Sequence, residues 1–144
     1  MNLTKIIKAA PEYVILRMSP EFPWIKRGQD IDLLVKSIPE WTDFLSDYMR
    51  QFPGKIVTYG LDETHWQIDY YEQGFLFKWD LYSHYISDKY VHDTFKTAHV
   101  DPMGFIVPAI KMNRISKCFE LLKYGKHKYF EFEQYRDDLK EYEI

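Results

Sequence analysis

The sequence predicts an α+β domain, a small mixed β-sheet with helices packed on it. Three observations carry this expectation. Short apolar runs recur at strand length, as in Tyr13-Val14-Ile15-Leu16 and Ile31-Asp32-Leu33-Leu34-Val35. Apolar residues recur at helical spacing in at least two longer stretches. No internal repeat or low-complexity linker separates the strand-like from the helix-like stretches, so together they read as one α+β unit.

In chain order, residues 4–10 have the makings of a short helix halted by Pro11. Tyr13 to Leu16 reads as a buried strand. The stretch from Met18 to Gln29 holds Pro20, Pro23 and Gly28 and reads as a loop. Ile31 to Val35 is a second strand. Ser37 and Glu40 have capping-box spacing, and Pro39 sits in the first turn, where its missing N–H does little harm. Ile38, Trp41, Phe44, Leu45, Tyr48 and Phe52 then define one helical face, ended by Pro53-Gly54. Three strands are expected over Lys55–Tyr59, Trp66–Tyr71 and Phe75–Leu81, with Gln73-Gly74 as a tight turn. Residues 82–103 show no clear pattern beyond room for a short helix. Phe105-Ile106-Val107 reads as a strand ended by Pro108. Ile110 to Tyr124 reads as a helix with Ile115, Cys118, Phe119 and Leu122 on its inner side, terminated by Gly125. Phe132, Tyr135 and Leu139 place a last helix at about 129–142.

The chain of 144 residues suits one domain, with a core over about 12–125 and the C-terminal helix beside it. Its formal net charge of −3 provides no basic footprint for duplex nucleic acid. A single cysteine, Cys118, excludes an internal disulfide and points to a cytoplasmic setting. No apolar run reaches the ~20 residues of a membrane span. The 12 Tyr and 10 Phe are as much as a ring-rich core needs, and also what a groove for sugars or bases would use.

The candidate chemistry lies at Asp30 and Asp32. Strand alternation puts both carboxylates on one face, with Ile31 and Leu33 on the other. Adjacent carboxylates repel, and a cation between them relieves the repulsion. Closely set oxygen ligands suit Mg²⁺ or Mn²⁺. Gly28, just before them, allows close approach of backbone and ligand. A third acid would complete the site. Asp80 is the first choice, on the strand face opposite Phe75, Phe77 and Trp79, and Asp69 is the rival. Three acids can hold two metals across a phosphoryl transfer. The five histidines do not follow zinc spacing, and His84, close to Asp80 in sequence, could serve as base or phosphate contact. Tyr124-Gly125-Lys126-His127-Lys128 is read as a basic cap on its helix.

The segment Gly28-Gln29-Asp30-Ile31-Asp32-Leu33-Leu34-Val35 resembles the metal-binding motif of the nucleotidyltransferase superfamily, in which a Gly-Ser pair precedes the first acid by about a dozen residues. Ser19 matches that pair, and Met18 stands where it has Gly. The chain is most similar to a subgroup from surface-polysaccharide loci, distantly similar to phosphotransferases of the LicD and fukutin kind. The shared features are Leu16-Arg17, Trp79-Asp80-Leu81 and Gly104-Phe105-Ile106-Val107-Pro108. The resemblance implies a nucleotidyltransferase-like fold with Asp30, Asp32 and Asp80 as metal ligands and catalytic acids. It implies that Ser19 and Gly28 meet the nucleotide or phosphodonor, and that Arg17, Lys26 and Arg27 meet phosphate unless they are solvated charges. The implied activity is transfer of a nucleotidyl or phosphoryl group to a sugar or small-molecule hydroxyl, in surface polysaccharide synthesis. The alternatives are a catalytically degenerate binding module, favoured by Met18, and an antitoxin-type nucleotidyltransferase that modifies a protein.

Overall fold

The computed structural model describes residues 3–17, 30–72 and 75–143, with the side chains of residues 3–5 and 75–76 outside the description. Ser19, Lys26, Arg27 and Gly28, with Met18 and the Gln73-Gly74 turn, therefore lie outside the described residues. The fold is α+β, as expected. Its elements are α1 (Leu3–Lys8), β1 (Tyr13–Ile15), β2 (Asp30–Val35), α2 (Ile38–Met49), β3 (Lys55–Asp62), β4 (His65–Glu72) and β5 (Phe75–Tyr82). After these come α3 (Asp88–Thr97), β6 (His99–Val100), β7 (Ile106–Val107), α4 (Ile110–Tyr124), a 3₁₀ segment (His127–Tyr135) and α5 (Arg136–Lys140).

Five strands form a mixed sheet in the order β1-β2-β5-β4-β3. β2 and β5 run parallel, and their neighbours pair antiparallel. Because side chains alternate along a strand, this sheet has two unlike faces. One presents Ile31, Leu33, Val35, Ile68, Trp79 and Leu81 to Ile38, Trp41 and Leu45 of α2 and to Ile6 and Ile7 of α1. Trp41 is wholly buried between Tyr13 and Trp79, with ring centroids 5.8 and 6.4 Å away. Its indole N–H donates to the Glu12 carbonyl at 3.2 Å, so the large ring buries no unpaired donor. Ser37 caps α2 by accepting from the Glu40 N–H at 3.3 Å, as its spacing to Glu40 predicts.

The opposite face carries Leu34 against Tyr85, Tyr90, Met112, Ile115, Cys118 and Phe119, so α3 and α4 cover it at that end. The β6–β7 hairpin seats Phe105 and Val107 in the first core, and the Ile106 N–H donates to the Tyr13 hydroxyl at 3.0 Å.

Several boundaries differ from expectation. The first strand ends at Ile15, although Leu16 stays buried and its N–H donates to the Asp32 carbonyl. Helix α2 ends at Met49, leaving Phe52 outside it and exposed. The 82–103 stretch, where the sequence leaves room for a short helix, does hold one, α3, capped by Ser87. The helix expected at about 129–142 is instead a 3₁₀ segment followed by the short α5. Its rings pack under cations of α4, with Lys117 over Phe132 and Arg114 over Tyr135, both at 5.0 Å. On α4, Leu122 is exposed rather than buried, and Ser116 and Glu120 are buried instead. Gly125 ends α4 in the left-handed conformation, φ 66°, as a C-terminal glycine should. Lys126, read as a helix cap, reaches the Glu120 carboxylate at 2.7 Å. No helix among the described residues is long and apolar enough to cross a membrane.

Candidate metal centre

The parallel pairing of β2 with β5 sets Asp32 directly opposite Asp80, and Asp30 opposite Lys78. Asp30, Asp32 and Asp80 therefore share the polar face. Each offers a carboxylate oxygen, and these oxygens lie within 4.8 Å of one another. Asp30 is exposed, Asp32 half-buried and Asp80 buried, so the cluster is reached from the Asp30 side. Of the two candidates for third acid, Asp80 belongs to the cluster. Asp69 shares the face beside Lys78 but is held by the Gln67 amide at 2.8 Å and the Tyr71 hydroxyl at 3.2 Å.

Electrostatics follow from the crowding. Burial, then the charges of Asp80 and Asp32, push the Asp30 carboxyl up to about 6. Burial also raises Asp32, although the adjacent Arg17 opposes the shift. Asp30 and Asp32 thus gain more from a neighbouring positive charge than isolated carboxylates do.

Arg17 supplies part of that charge. Its Nη2 lies 3.2 Å from Asp32, its Nη1 donates to the Tyr85 hydroxyl at 2.7 Å, and its Nε lies 3.6 Å from Glu120. Burial works against the guanidinium charge, but Asp32, Tyr85 and Glu120 outweigh it and keep Arg17 protonated. Lys126 completes the chain Asp32–Arg17–Glu120–Lys126. Arg17, which the resemblance offers as a phosphate contact, is here 4% exposed and engaged with these three partners. Its place is beneath the cluster.

His65 is the residue that sequence reasoning misses. Its Nε2 lies 2.8 Å from Asp80 Oδ1, and its ring stacks on Tyr82 at 4.0 Å. His84, proposed from its closeness to Asp80 in sequence, instead contacts Asp88 at 3.4 Å. Only the β4–β5 register brings His65 to this face, opposite Tyr82 and two residues along from the Gln67–Asp80 pair. The sequence does not single out Glu120 either, since a charged residue on a helix is expected in solvent.

The donor set fits a hard divalent cation: three carboxylates whose oxygens span a distance that bonds of about 2.1 Å can close with small side-chain rotations. Beside the cluster, a pocket of about 540 Å³ opens between the C-terminal ends of β5 and α4. It contains His65, Tyr82 and Glu120 but none of the three aspartates, so it adjoins the acids without enclosing them. Comparison of the chain with family models, with curated proteins and with solved structures finds no match in any of the three.

Proposed function

We propose that the protein is a divalent-metal-dependent nucleotidyl- or phosphotransferase of nucleotidyltransferase-like fold, acting on a sugar or small-molecule hydroxyl. The observation that carries this reading is the convergence of Asp30, Asp32 and Asp80 on one accessible sheet face. These residues would hold Mg²⁺ or Mn²⁺, which when bound neutralises phosphate charge and orients the phosphodonor. The motif around Asp30 and Asp32 supports the same assignment, as does the mixed sheet with its parallel central pair. The setting implied by the resemblance is surface polysaccharide synthesis, and the single cysteine supports a cytoplasmic site for it.

The protein's own groups divide the work. Asp30 and Asp32 hold the donor end of the site. Asp80, steadied by His65, faces the acceptor side, where a carboxylate can take the hydroxyl proton. The acceptor oxygen forms the new P–O bond. The P–O bond to the leaving group breaks (pyrophosphate in nucleotidyl transfer, the nucleoside mono- or diphosphate in phosphoryl transfer), and the electron pair leaves with that group. Arg17 and Glu120 fix Asp32 in place from below.

The test is titration calorimetry with Mg²⁺ and each nucleoside triphosphate, followed by assay of pyrophosphate or nucleoside diphosphate release with sugar acceptors. Metal-dependent binding and turnover are expected, both lost in Asp30→Asn/Asp32→Asn. A second reading, a binding module without catalysis, is favoured by the Arg17–Asp32 pair, which already places a cation on one acid. Nucleotide binding that ignores Mg²⁺ and yields no product would select it.

A further inference from the structure

We infer that the outer edge of β3 is an interface between two copies of this chain, at which their β3 strands pair antiparallel and join the two sheets into one. This goes beyond the transferase reading and stands without it.

β3 is the last strand of the sheet, and among the described residues no strand pairs with its outer side. None of its eight residues is buried. The opposite edge differs: β1 has three residues, all buried. An antiparallel edge strand directs the N–H and C=O of every second residue away from its neighbour, as a template for another strand. Protected edges are commonly interrupted by charges or proline. Here Ile56-Val57-Thr58-Tyr59-Gly60-Leu61 contains neither, and the charges stand at the two ends, Lys55 and Asp62. The one irregularity, a register shift between Gly60 and Asp62, lies near the far end.

The strand is complementary to itself. The shift leaves Leu61 as an extra residue without a partner on β4. With Leu61 passed over, a twofold axis through Thr58 pairs Thr58 with Thr58, Val57 with Tyr59, Ile56 with Gly60 and Lys55 with Asp62 of the second copy. The faces agree as well. Lys55, Val57, Tyr59 and Asp62 pair on β4 with Tyr71, Asp69, Gln67 and His65, and so share the polar face. Ile56, Thr58 and Gly60 pair with Tyr70, Ile68 and Trp66, on the face toward α2.

Each pairing is favourable. Lys55 meets Asp62 twice, once at each end of the seam. Asp62 is fixed there by the Thr64 N–H and hydroxyl, at 2.7 and 2.9 Å, both on Oδ1. A carboxylate has further lone pairs for an ammonium. Valine against tyrosine and threonine against threonine are stabilising cross-strand pairs. Ile56 meets Gly60, where the Trp66 indole lies so close that a Cβ would come within 2.9 Å of it. The isoleucine thus finds an aromatic surface where the glycine offers no side chain. Parallel pairing would instead bring like charges together at both ends. This charge complementarity selects a second copy as the occupant of the edge. The axis is perpendicular to the sheet, so the acid clusters of both copies open on the same side.

The test is sedimentation equilibrium of the whole chain, with reductant and EDTA, over a wide range of concentration. A reversible dimer is expected. Thr58→Lys, at an exposed position, sets two ammonium groups against each other on the axis and should raise the dissociation constant about tenfold or more. Lys55→Glu should raise it about fivefold at low salt, and Lys55→Glu/Asp62→Lys should restore it. The register is read by oxidation: Thr58→Cys should cross-link to a covalent dimer, because position 58 meets itself, and Tyr59→Cys should not. Thermal melts of the dilute variants show that they fold. Should Thr58→Lys fail to fold, the cross-link and the charge reversal decide. The inference is overturned if the parent stays monomeric at every concentration, which would leave the edge to a strand of another protein. It is also overturned if a folded Thr58→Lys dimerises as tightly as the parent, or if Tyr59→Cys cross-links in preference to Thr58→Cys.

Discussion

The two faces of the sheet bury their residues by different rules. Toward α2 the contact is carbon on carbon, with Leu33, Val35, Trp41 and Leu45 wholly enclosed. Toward α4 the sheet buries charge: Arg17, Glu120 and Asp80 are each less than 10% exposed in their side chains. The first face depends on volume and shape, and any apolar set of similar size would serve it. The second depends on pairing, because each buried charge is tolerated only beside its partner. The contrast separates the packed core from the face on which the proposed site lies.

The largest effect is expected on the apolar side. Trp41→Ala should lower the unfolding free energy by about 3–5 kcal/mol, measured by denaturant titration. A loss near that of a surface substitution would break the comparison. On the charged side, Arg17→Met should cost about 3 kcal/mol, since Asp32 and Glu120 lose their shared cation. The double variant Arg17→Met/Glu120→Gln should recover part of that cost. If the single and double variants are equally unstable, Arg17 stabilises through packing rather than charge.

The smallest effect has the opposite sign. The folded chain holds the Asp30 proton up to about pH 6, against an ordinary value of 3.8. Between those values the folded state binds more protons than the unfolded one, so stability falls as pH rises through the window. Asp30→Asn removes that loss. Without divalent cations the variant should be more stable than the parent above pH 6, by about 1 kcal/mol or less because the exposed group is screened by solvent. The advantage should vanish at about pH 4. Denaturant midpoints at the two pH values decide it, and a variant less stable than the parent at neutral pH would show that Asp30 is not under repulsion.

What the sequence made legible was local. Ser37 with Glu40, the alternation of Asp30 and Asp32, and Gly125 after Tyr124 are patterns within a few residues, and each appears in the structure. Asp80 could be chosen because its strand is apolar on one side only. His65 could not, since its place beside Asp80 follows from a register between β4 and β5 that no short window contains. Glu120 and Leu122 exchange the burial expected of them because Arg17 and Lys126 neutralise the glutamate. Periodicity counts apolar residues and does not register such compensation. Ser87 ahead of α3 was a usable cap signal, obscured by the polar residues around it.

The parallel contact of β2 and β5 has a consequence for how the acids come together. A hairpin could have joined two antiparallel strands early and cheaply. Here α2, β3 and β4 intervene in the chain before Asp80 can face Asp32. Such distant contacts form only after loop entropy has been lost. Asp80 consequently reaches Asp32 only in a chain in which β2 and β5 have paired. On the proposed metal reading, affinity for a divalent ion would then report that pairing and would be absent from any fragment that lacks β5.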